Sequence, residues 1–146
     1  LYNVGAMFRT SDGAGVQKIF LCGITATPPR PEIAKTALGA EEFVEWEYEE
    51  EALDVVGRLR KDGVQIVGVE LADDAENYWD AELDFPVCLV FGHETEGVSD
   101  EVLAGMGRTG EWVALNHWDV LPTDSSNGQG AKPVDRKYLF DDECTP

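Results

Sequence analysis

The sequence predicts an α/β fold, a mostly parallel sheet with helices on both faces. Two observations carry that expectation. Strand-like and helix-like segments alternate along the chain, as βαβ units do. Two strand-like runs, VQIVGVEL (64–71) and PVCLVFG (86–92), are apolar almost without a break, the mark of strands buried on both faces.

The elements follow in order. Residues 3–13 mix Val4, Ala6, Met7 and Phe8 with Arg9 and Thr10, then break at Gly13 and Gly15, which reads as a short helix. VQKIFLCGI (16–24) is a strand by its β-branched and aromatic content. TATPPRP (25–31) is a loop, because its three prolines exclude both helix and ladder. EIAKTALGA (32–40) reads as a short helix closing near Gly39, and FVEWEY (43–48) alternates like an edge strand. Residues 49–62 form a helix, since Ala52, Val55, Val56 and Leu59 recur at helical spacing before Gly63. Ser99 caps a further helix with Asp100 and Glu101 in its first turn. EWVAL (111–115) is one more short strand. After Asn116 the chain loses all periodicity, so residues 1–116 are expected to form one domain and 117–146 an irregular tail.

A chain of 146 residues with 43% hydrophobic side chains is one domain with a sizeable core. Leu1 stands directly before motif-like sequence, so the chain reads as a fragment lacking its natural start. The sequence has no run of eighteen apolar residues and no charged-then-apolar leader, so no membrane or secretory role is expected. Cys22, Cys88 and Cys144 are odd in number and widely spaced. Two lie in apolar runs, which suggests reduced, buried thiols in a cytosolic, cytoplasmic protein. Neither they nor His93 and His117 have metal-ligand spacing, so no metal is expected.

The net charge of −18 argues against nucleic acid, but its distribution is uneven. Residues 1–35 carry Arg9, Lys18, Arg30 and Lys35 against Asp12 and Glu32. The acids concentrate in EEFVEWEYEEEALD (41–54), which reads as a solvated face or an adaptation to high salt. An RNA-facing N-terminal third is therefore permitted.

Three segments carry candidate chemistry. In FPVCLVFGHETEGVSDEVL (85–103) an apolar strand runs into Gly92, Glu94, Gly97 and a helix cap. Open α/β sheets bind ligands at such strand ends. Gly92 and Gly97 would admit close backbone approach, and Glu94 could accept hydrogen bonds. An ordinary strand-to-helix turn with a surface acid is the competing reading. In NVGAMFRTSDGAG (3–15), Asn3 and Arg9 project in different directions if both are helical. They converge only if Asn3 precedes the first turn, and taken alone they read as surface residues. The Gly13–Gly15 pair precedes a strand instead of following one, which weakens a nicotinamide reading. In PPRPEIAKTALGA (28–40), Arg30 and Lys35 could contact phosphate, or the loop is structural.

Together these segments resemble the SpoU (TrmH-type) family of RNA ribose methyltransferases, in the SPOUT superfamily. NVGAMFRTSDGAGVQKIFLCG resembles the family's first motif, GITATPPRPEIAKTALGAEEFVEWE its linking segment, and LVFGHETEGVSDEVL its second motif. The resemblance implies an α/β knot, a homodimer, and S-adenosyl-L-methionine as methyl donor to a ribose 2′-hydroxyl of tRNA or rRNA. It places Asn3 and Arg9 near the target ribose, with Glu94 supporting the site. Gly92, Val69 and Leu115 fall at cofactor-binding positions, and Arg9, Arg30 and Lys35 are the expected RNA contacts. Arginine stays protonated, so Arg9 is expected to clamp a phosphate instead of acting as a base.

Two departures accompany the resemblance. The family's opening strand, expected before Asn3, is missing. The third motif should continue WVAL with Pro-Met and then Ser-Leu-Asn; here the chain reads Asn116-His117-Trp118, and SSN (125–127) is a displaced echo. A frame shift near residue 116 would account for the break. The alternative reading is an inert RNA-binding or dimerisation module that keeps the fold. An unrelated nucleotide-binding domain is a third reading, for which the sequence offers no phosphate loop.

Overall fold

The computed structural model of the chain describes residues 1–70, 75–77, 80–106 and 115–116. Helix α1 (Tyr2–Ala14) closes at Gly15, which takes the left-handed conformation that ends helices without a Cβ clash. Strand β1 (Lys18–Cys22) follows. Helix α2 (Pro31–Ala37) starts with Pro31, in the first turn, where a missing N–H breaks no helical bond. It ends before Gly39, at Leu38, and a short 3₁₀ turn (Ala40–Glu42) leads to β2 (Glu45–Glu49). Helix α3 (Ala52–Lys61), strand β3 (Gln65–Val69), a two-residue β4 (Glu76–Asn77) and strand β5 (Val87–Phe91) come next. Helix α4 (Asp100–Met106) and β6 (Leu115–Asn116) complete the described elements.

Every strand pairing among the described residues is parallel: β1 with β2, β3 with β5, and β4 with β6. The parallel α/β expectation therefore holds. The tail at 117–146, most of the expected strand at 111–115, and the chain path that would form a knot lie outside the described residues.

Two cores organise the fold. Phe8, Leu21, Ile33, Ala37, Ala40 and Val44 join α1, α2, β1 and the start of β2. Val56, Ile66, Val98 and Met106 join α3, β3 and α4. Leu21 of β1 points into the first core, while Phe20 lies beneath the Arg58 side chain of α3, 5.5 Å from the ring centroid.

Strand alternation sorts the rest. Cys88 and Val90 of β5 face the second core, but Leu89 and Phe91, on the other face, are 46% and 51% exposed. The expectation that β5 is buried on both faces is thus corrected. Val67, paired with Leu89 across the sheet, is fully buried, so the open area lies at the β5 side.

The acid-rich stretch also differs from a simple solvated face. Lys18 bridges Glu45 and Glu47 at 2.8 Å each, and Arg58 bridges Glu47 and Glu49 at 2.7 and 3.3 Å. Alternate side chains of a strand share a face, so the three acids of β2 form one row, held by Lys18 of β1 and Arg58 of α3. Cys22 and Cys88 are free and half-buried, less deeply placed than expected. Burial still pushes both thiols above their ordinary value, which keeps them protonated and unreactive.

Candidate functional site

Strands β3 and β5 end side by side at Val69 and Phe91. Beyond Phe91 the chain makes a tight loop closed by reciprocal bonds: His93 N–H donates to the Gly97 carbonyl and Gly97 N–H to the His93 carbonyl, both at 2.8 Å. A Cβ on Gly92 would collide with the backbone of Gly97 and Val98. Gly92 therefore makes room for the chain's own crossing. Gly97 has a left-handed backbone at φ 72° and lies against the Glu70 carboxylate.

Glu70 is the residue that sequence reasoning missed. It follows β3 directly, and its Oε2 accepts from Val98 N–H at 2.7 Å. That bond ties the loop after β5 to the end of β3 and sets the entry to α4. Ser99 Oγ then accepts from Val102 N–H at 3.4 Å, the expected cap. The available signal was an acid directly after an apolar strand run, at the sheet edge where ligands bind.

Glu94 stands at the loop tip. Its Oε2 accepts from Asn3 Nδ2 at 3.2 Å, across 91 positions of sequence. Asn3 sits in the first turn of α1, not before it, so the condition for its convergence with Arg9 is not met. Helical geometry sends the two side chains in different directions. Arg9 instead lines an open depression of about 530 Å³ between α1 and α2, together with Ala6, Thr10, Lys35 and Thr36. Arg30 lines a separate depression with Pro28, Pro29, Pro31 and Trp46. The structure thus joins Asn3 with Glu94 and Arg9 with Lys35, and leaves Arg30 apart. Leu115 pairs its backbone with Glu76, and the β6 strand that holds it lies beside β3.

The loop at 92–99 carries Glu94 and Glu96 and no lysine or arginine. Its charge opposes a polyphosphate and suits a ligand with a positive centre. Among the described residues no cluster of His, Cys, Asp or Glu could hold a metal ion, and no helix is long and apolar enough to cross a membrane.

The parallel α/β fold is shared with proteins of known structure. The chain belongs to the SpoU rRNA Methylase family, whose model matches residues 1–111. Over 103 residues it is 28% identical to the tRNA (guanosine(18)-2′-O)-methyltransferase of Escherichia coli strain K12, covering 70% of this chain and 44% of that protein. The crystal structure of an rRNA methyltransferase from Sinorhizobium meliloti aligns with a TM-score of 0.68 at 27% identity, covering 79% of this chain and 43% of that one. An AdoMet-bound rRNA methyltransferase structure from the same organism gives a TM-score of 0.68 at 23% identity, covering 90% and 46%. The chain therefore spans less than half the length of each of these relatives.

Proposed function

We propose that this chain carries its family's chemistry, transfer of a methyl group from S-adenosyl-L-methionine to a ribose 2′-hydroxyl of tRNA or rRNA. The observation that supports this reading most is the Asn3–Glu94 hydrogen bond. It brings two motif residues together from opposite ends of the matched segment.

When bound, S-adenosyl-L-methionine supplies an electrophilic methyl group on a positively charged sulfur. The acidic loop with Glu94 and Glu96 and the neighbouring Glu70 fit that charge, and Val69, Gly92 and Leu115 would frame the adenosyl group. Glu94 fixes the Asn3 amide by accepting from Nδ2, which leaves Oδ1 to orient the ribose hydroxyl. Arg9 stays protonated and holds a phosphate of the bound RNA. Arg30 and Lys35 add RNA contacts. Positioning of this kind is worth about 7–11 kcal/mol in favourable cases. The reading includes a homodimer, supported by the uncovered Leu89 and Phe91 on one face of β5 and the exposed Phe85 just before the strand. It includes a cytoplasmic location, which the reduced thiols Cys22 and Cys88 support.

The second reading, an inert RNA-binding or dimerisation module, is favoured by the sequence beyond Asn116 alone. Incubation with methyl-labelled S-adenosyl-L-methionine and unfractionated tRNA or rRNA decides between them. The proposed activity puts label into RNA as 2′-O-methyl nucleosides and falls on the order of 100-fold in Arg9→Gln, which loosens the grip that positions the ribose. A folded protein that binds RNA without labelling it selects the inert module.

A further inference from the structure

The basic side chains divide by whether a protein group holds them. Lys18 and Arg58 are tied into the acid row on β2, and Arg60 donates to the Gly105 carbonyl at 2.9 Å. Among the described residues, Arg9, Arg30, Lys35 and Lys61 have no carboxylate partner, in a chain with 29 acidic residues. Arg30 and Lys61 stand apart from the others. Arg9 and Lys35 open into the same depression, one from each helix.

The helices are built to bring these two cations together. Gly5 lets α1 approach the Ile33 carbonyl and Thr36 of α2 closely, and the small Ala6 leaves the floor of the depression open. Thr36 Oγ1 donates to the Tyr2 carbonyl at 2.8 Å, pinning α2 to the first turn of α1. The Lys35 ammonium lies 5.6 Å from the Tyr2 ring centroid, which steers it along α1. Thr10 adds a hydroxyl with no partner among the described residues. Two like charges facing one concavity repel, and an anion between them relieves that repulsion. A guanidinium, an ammonium and a hydroxyl together form a donor set for phosphate. The depression exceeds a phosphate in size, which leaves room for a flanking ribose.

We propose that Arg9 and Lys35 hold one and the same phosphodiester group of the substrate RNA, with Lys35 a substrate-binding residue that touches no cofactor; this rests on the RNA reading above. The test is the affinity for unfractionated tRNA as a function of salt, in the wild type, Lys35→Gln, Arg9→Gln, the double variant and Lys61→Gln. Circular dichroism checks each fold, and titration with S-adenosylhomocysteine checks each cofactor site.

Lys35→Gln should weaken tRNA binding about tenfold and leave S-adenosylhomocysteine affinity unchanged, while Lys61→Gln matches the wild type. The double variant should lose less than the product of the two single losses. Its slope of log affinity against log salt should fall by about 0.7–0.9, one phosphate's worth. Multiplicative losses with twice that slope change mean two separate phosphates and overturn the shared grip. Lys35→Gln binding tRNA like the wild type, or losing S-adenosylhomocysteine affinity, also overturns it. A wild type that binds S-adenosylhomocysteine but no tRNA at low salt overturns the RNA reading itself, and the subsite with it.

Discussion

Gly5→Ala is a one-methyl change placed where the two N-terminal helices touch. A Cβ there would overlap Thr36 Oγ1 and the Ile33 carbonyl oxygen and come within 3.0 Å of the Ala37 amide nitrogen. Two of these three neighbours are α2 backbone, so no rotamer change relieves the clash. The whole of α2 must retreat until contacts return to about 3.5–4.0 Å. That motion opens the seam in which Phe8, Ile33 and Ala37 are almost fully buried. Overpacking of this kind costs about 1–3 kcal/mol. Loss of the Thr36–Tyr2 hydrogen bond adds about 0.5–1.5 kcal/mol. Alanine returns about 1 kcal/mol through its better helix propensity. The net destabilisation is then about 2 kcal/mol. Urea denaturation followed by circular dichroism reads it directly: with a slope of about 1–3 kcal/mol per molar, the midpoint falls by about 1 M. A midpoint that stays or rises would refute the close α1–α2 contact and the shape of the depression built on it.

Two further variants probe the loop and the sheet face. Glu70→Ala removes the acceptor of Val98 N–H, a charge-assisted bond worth about 1.5–3 kcal/mol. It should lower thermal stability and weaken S-adenosylhomocysteine binding about tenfold, while Glu70→Gln, which keeps an oxygen acceptor, recovers most of both; unchanged binding in Glu70→Ala would show that the loop needs no such anchor. Glu47 is held down from 4.5 to about 2 by hydrogen bonds from Lys18 first and Arg58 second. A carboxyl depressed in the folded state contributes stability above its unfolded value and loses it as pH falls through its folded value. Melting temperatures of the wild type should therefore drop between pH 4.5 and 2 more steeply than those of Glu47→Gln, and parallel curves would contradict the ion-pair row.

Local chemistry was largely legible in the sequence. Gly15, Gly63 and Ser99 punctuate helices where expected, and the α3 stripe of Val55 and Val56 is buried as its spacing implied. What the sequence could not supply were relations between distant segments. Asn3 and Glu94 were both singled out, but their hydrogen bond depends on how two separate cores sit together. The motif sets Arg9 with Asn3, whereas the fold sets it with Lys35, because a helix fixes direction and only packing fixes neighbours. The run VCLVF reports hydrophobicity on both faces of β5. It carries no information on which face a neighbour covers, so the exposure of Leu89 and Phe91 was invisible. Glu70 was missed because a single acid after a strand has no periodicity to mark it.

The central claim is that the strand ends at Val69 and Gly92, with the loop anchored by Glu70, hold S-adenosyl-L-methionine. Calorimetric titration of the chain with S-adenosylhomocysteine, the product that shares its pocket, tests this most directly. The expected result is saturable, one-to-one binding near a Kd of about 1 μM, or about −8 kcal/mol, weakened in Glu70→Ala. A protein shown to be folded that gives no heat at millimolar ligand would contradict it.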